Sequence, residues 1–76
     1  MGWNELDDKL KRKLDRRFVS CDEAYERKAV ESVVMEHAPH LLRLEVQKAI
    51  RDCCAEVSAP RPRADFVKCL ARRLGI

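Results

Sequence analysis

The stretch Leu42-Arg43-Leu44-Glu45-Val46-Gln47-Lys48-Ala49-Ile50-Arg51-Asp52-Cys53-Cys54-Ala55-Glu56-Val57 decides the class of fold. Leu42, Val46, Ala49, Ile50, Cys53 and Val57 recur at spacings of three and four, the period of one helix face, while Lys48, Arg51, Asp52 and Glu56 fall outside it. The pattern predicts a long amphipathic helix over about residues 40–57 that offers its apolar face to the rest of the chain. A half-buried strand would need alternation at period two, which no segment sustains.

Working outward, Ala59-Pro60-Arg61-Pro62 fixes φ at two prolines and resists helix on both sides. A further helix is expected over 63–74, with Phe66, Val67, Leu70 and Leu74 as its buried stripe and Gly75 as a left-handed C-cap. On the other side Pro39 ends a helix expected over 21–38, because the residue before proline avoids helical backbone. Ser20-Cys21-Asp22-Glu23 reads as a capping box that opens it, with Phe18-Val19 as a hydrophobic staple. A first helix is expected over 4–17. Asn4 serves as its N-cap, acids at Glu5, Asp7 and Asp8 favour its start, and bases from Lys11 to Arg17 favour its end. Four segments of one kind predict an all-α fold, a small compact bundle of three to four short helices in a single domain spanning 1–76.

Size and composition narrow the function. At 76 residues the chain can bury one core, and it has little room for a spacious catalytic cleft. Hydrophobic residues make up 46% and charged residues 38%, which suits a chain that folds in water and leaves no membrane span. The first eight residues carry no apolar secretory core, so cytoplasmic residence is expected. In a reducing compartment Cys21, Cys53, Cys54 and Cys69 are expected as free thiols, although four cysteines allow three pairings. Cys53 falls on the core face of its helix, and Cys54 and Cys69 fall at face borders.

Cysteine and histidine together raise the question of zinc. His37 and His40 have ligand-like spacing, but Pro39 splits them between helices, and Cys53 and Cys54 point about 100° apart on one helix. No metal and no other cofactor is expected, and His37 reads as a helix-end residue. A nucleophile elbow, a phosphate-binding glycine loop and a metalloprotease motif are all missing, and the two glycines, Gly2 and Gly75, supply no active-site loop. The chain therefore reads as a non-enzyme without a small-molecule substrate.

Two binding surfaces remain. Trp3, Leu6, Leu10 and Leu14 form a narrow apolar stripe on an otherwise charged first helix, which could cover its own core or meet a partner protein or a second copy. The alternative is nucleic acid. Residues 58–76 hold five bases, Arg61, Arg63, Lys68, Arg72 and Arg73, against the single acid Asp65, so this end could lay cations along a phosphate backbone. The proline-rich loop is longer than a helix-turn-helix turn, and the last helix lacks Asn, Gln and Ser for reading bases. The expectation is a small helical protein-binding or self-associating module, with DNA or RNA binding as the runner-up.

Overall fold

Helical periodicity is realised in all four segments. A computed structural model describes residues 3–14 and 17–76 and contains α1 (Trp3–Leu14), α2 (Ala24–His37), α3 (Arg43–Glu56) and α4 (Arg63–Leu74). The protein is a small all-α bundle. Helix α1 packs against α2 and α4, and α3 packs against the same two, so the four helices surround one core. That core takes Leu6 and Leu10 from α1, Val30, Val33 and Val34 from α2, Val46, Ala49, Ile50 and Cys53 from α3, and Phe66, Val67 and Leu70 from α4. Each large side chain fully buried here contributes about 1.5–3 kcal/mol of transfer free energy. Among the described residues no helix is long and apolar enough to cross a membrane.

The start of α2 differs from expectation, and the cause is tertiary. Residues 17–19 run antiparallel to residues 61–63: the Val19 N–H donates to the Arg61 carbonyl at 2.9 Å, and the Arg63 N–H donates to the Arg17 carbonyl at 2.7 Å. Cys21 is then tied to Cys54 of α3 by a disulfide. These restraints keep the chain out of helix through Glu23, with bends at Cys21 and Asp22, so α2 begins at Ala24 with Glu23 as N-cap and no side-chain capping bond. Ser20 is therefore not the cap. Its N–H is instead satisfied by the carboxylate of Glu26, 3.2 Å away, a residue with no exposed surface. Val19 is buried as a staple residue would be, whereas Phe18 stays half exposed.

Helix α3 also starts late, at Arg43, because Leu42 is extended and its N–H donates to Glu45 Oε1 at 3.0 Å. Leu42 consequently leaves the core face on which its spacing had placed it and is 67% exposed. Helix α4 follows expectation at both ends. Gly75 adopts φ 70°, the left-handed conformation that glycine takes without a Cβ clash, and the Ile76 N–H reaches back to the Ala71 carbonyl at 3.0 Å.

Candidate docking groove between α2 and α3

Adjacent residues on a helix point about 100° apart, so Cys53 and Cys54 send their side chains to different flanks of α3. Cys53 bonds Cys69 of α4 across 5.9 Å between Cα atoms, inside the core. Cys54 bonds Cys21, ahead of α2, across 6.0 Å. Both Cα separations lie in the usual range for a disulfide. The expectation of four free thiols is thus corrected: all four are paired. The sequence separation of the partners hid this, since nothing in the chain's local pattern brings Cys21 to the far end of α3. A disulfide sulfur is not the thiolate that zinc requires, so these cysteines as paired do not form a zinc site. His37 accepts a hydrogen bond from Lys9 of α1 at 3.1 Å, which ties the end of α2 to the first helix.

The two surfaces singled out by the sequence are largely engaged within the fold. Leu6 and Leu10 are 1% exposed and belong to the core, with Trp3 and Leu14 packed partly buried against it. Lys68 stacks over the Trp3 ring, its Nζ 4.6 Å from the centroid. The other four bases of the C-terminal end are occupied as well. Arg61 Nε donates to the Cys54 carbonyl at 3.1 Å, and Arg63 Nε donates to Asp7 Oδ1 at 2.7 Å in a mostly buried pair. Arg72 and Arg73 both grip Glu56, with Arg73 also 3.5 Å from Asp52. The hydrogen bond from Arg73, helped by the charges of Arg72 and Arg73 and opposed by partial desolvation, holds the Glu56 carboxyl below its ordinary value of 4.5.

A different surface stays open. Between α2 and α3 lies a groove of about 480 Å³ lined by Cys21, Ala24, Arg27, Lys28, Glu31, Gln47, Ile50, Arg51 and Cys54. The α2 residues 24, 27, 28 and 31 and the α3 residues 47, 50, 51 and 54 each follow helical spacing along one strip beside the core stripe, which is why the two strips face each other. The disulfide forms one end of the floor and Ile50 its middle. Three cations and one carboxylate line the groove, and that carboxylate, Glu31, is already bonded to Arg43. Arg27 donates to the Cys21 carbonyl, while Lys28 and Arg51 make no ion pair among the described residues. On the α3 rim Leu44, seven residues before Arg51 and so on the same strip, is 77% exposed.

The sequence carried a partial signal for this surface. Residues 20–38 hold five acids and two bases, which reads as an acidic helix, yet Glu26 is buried and Glu31 is neutralised, leaving both bases, Arg27 and Lys28, on the groove side. Helical projection alone could have located Arg27, Lys28 and Arg51 on the borders of the apolar stripes; only the pairing of acids elsewhere reveals the excess positive charge. No protein-family model, curated protein or solved structure matches the chain.

Proposed function

We propose that this protein is a small non-catalytic helical module that binds a protein partner, and that the partner docks on the α2–α3 face and not on the α1 stripe. The carrying observation is how the two kinds of surface are used. Leu6 and Leu10 of α1 lie in the domain's own core, whereas the α2–α3 groove combines apolar lining with cations that have no carboxylate partner among the described residues, and the exposed Leu44 lies next along the same strip of α3. Apolar surface rimmed by polar groups marks interaction sites in soluble domains. Nucleic-acid binding through Arg61, Arg63, Lys68, Arg72 and Arg73 is the weaker reading, because each of these side chains is already engaged within the molecule and Arg63, Arg72 and Arg73 have their charge offset by a carboxylate.

The two disulfides also bear on where the module works. Cytoplasmic residence was expected from the lack of an apolar secretory core in the first eight residues, and free thiols followed from it; paired cysteines in a domain of this size favour an oxidising compartment instead.

Sedimentation equilibrium of the protein alone, and with mixed-sequence duplex DNA at low and high salt, tests the reading. The expected result is no DNA complex at either salt. A complex that forms at low salt, dissolves at high salt and weakens on Arg72→Ala would overturn the protein-binding reading. Self-association abolished by Trp3→Ala but not by Leu44→Asp would return the interface to α1.

A further inference from the structure

We infer that the α2–α3 groove receives an acidic amphipathic helix of a partner protein, with one apolar side chain over Ile50 and the Cys21–Cys54 disulfide and carboxylates on both of its flanks. The inference deepens the protein-binding reading and rests on it. Cations stand on both walls of the groove, Arg27 and Lys28 on α2 and Arg51 on α3. An occupant that satisfies them therefore carries acid on both sides of its apolar stripe, as a helix does with residues that flank a seam. The lining residues Ala24 to Glu31 span eight residues of α2, or about 10 Å between first and last, enough for roughly two turns of a helix lying along the groove. Leu44, beyond Gln47 on the α3 wall, extends the apolar track for a longer segment.

The apolar floor separates this occupant from its competitors. A phosphate backbone could meet the three cations but has no apolar body to cover Ile50 and the disulfide, and three phosphate contacts give weak binding at ordinary salt. A second copy of this chain would have to offer an acidic helix with a spare apolar stripe. The described helices turn theirs inward: Leu6 and Leu10 of α1, Val30 and Val34 of α2, Val46 and Ile50 of α3, and Phe66 and Leu70 of α4 are all in the core.

The test uses the full chain with its disulfides intact and a synthetic helical peptide of about four turns, with leucine every third or fourth residue and glutamate on both flanks. A matched peptide with glutamine in place of glutamate is the control. Fluorescence anisotropy is expected to show binding of the glutamate peptide that weakens as salt rises and is at least about tenfold tighter than the control. The double variant Lys28→Glu with Arg51→Glu is expected to lose about tenfold or more in affinity while keeping its helical circular dichroism, because both side chains are on the surface. Ala24→Tyr, which fills the floor without altering charge, is expected to weaken both peptides. Equal affinity for the two peptides would overturn the acidic occupant while leaving a protein-binding face in place. Binding indifferent to both the charge reversal and Ala24→Tyr would overturn the groove as the site. A duplex DNA that displaces the glutamate peptide, with the displacement lost on Arg72→Ala, would overturn this inference together with the protein-binding reading.

Discussion

The two flanks of α3 are built from the same parts and end in opposite states. On the α4 side a disulfide, Cys53–Cys69, is sealed in the core, and the nearby bases Arg72 and Arg73 are taken up by Glu56 and Asp52. On the α2 side a disulfide, Cys21–Cys54, lines an open groove, and the nearby bases Lys28 and Arg51 have no ion pair among the described residues. Residue content does not distinguish a neutralised flank from an open one; the destination of each carboxylate does. Surface charge is available to a ligand only where the fold has not already neutralised it.

The crosslinks give the largest test of this contrast. The chain-entropy estimate for bridges separated by 16 and 33 residues is about 3 to 4 kcal/mol each. Replacing either pair with alanine is expected to lower stability by that order in denaturant titrations, a large share of what a domain this small possesses. Their accessibility should differ even though their contributions are similar. Cys53 and Cys69 are 0% and 2% exposed, whereas Cys54 is partly open to the groove, where a reductant's thiolate can reach it. Graded reduction followed by alkylation and mass spectrometry is expected to label Cys21 and Cys54 first. Labelling of Cys53 and Cys69 first would reverse the assignment of inner and outer flank.

A smaller loss is expected from Glu26→Leu, which leaves the Ser20 N–H without its acceptor and so costs about 1–3 kcal/mol. A variant as stable as the parent would show that the segment ahead of α2 does not depend on this carboxylate. Glu56 supplies a pH test of the neutralised flank. Because its carboxyl titrates lower in the folded chain than in the unfolded one, its contribution is present above about pH 4.5 and is lost as pH falls through the depressed folded value. Glu56→Gln should therefore flatten the acid limb of the stability profile below that pH and leave the groove's peptide affinity unchanged. The smallest effect belongs to the open flank. Lys28→Ala and Arg51→Ala are expected to change stability by no more than about 0.5 kcal/mol, because neither exposed side chain makes an ion pair among the described residues. A markedly larger loss at Arg51 would mean that this cation is structural.

Most of the helical fold was legible because it depends on local period. The Phe66, Val67 and Leu70 stripe, the Pro60–Pro62 break and the Gly75 cap each act over a few residues, and α4 has the bounds those signals give. Where reading failed, a distant partner had intervened. Ser20 and Glu23 have capping-box spacing, but the Cys54 disulfide and the pairing of residues 17–19 with 61–63 keep that backbone out of helix. Leu42 fits the period of α3 yet sits in the turn before it. The groove was hidden for the same reason: Lys28 and Arg51 look like ordinary surface bases until their neighbours' pairings are known.

The sequence by itself determined the all-α class, the four amphipathic stripes and the breaks between them, since helical period, proline and glycine act on the backbone within a few residues. Only the tertiary structure decided which cysteines pair, that Leu6, Leu10 and the C-terminal bases are engaged inside the molecule, and that Lys28 and Arg51, without an ion pair among the described residues, line the α2–α3 groove. Those outcomes depend on residues such as Asp7 and Arg63 or Cys21 and Cys54, far apart in the chain and adjacent in space, whose meeting no local pattern encodes.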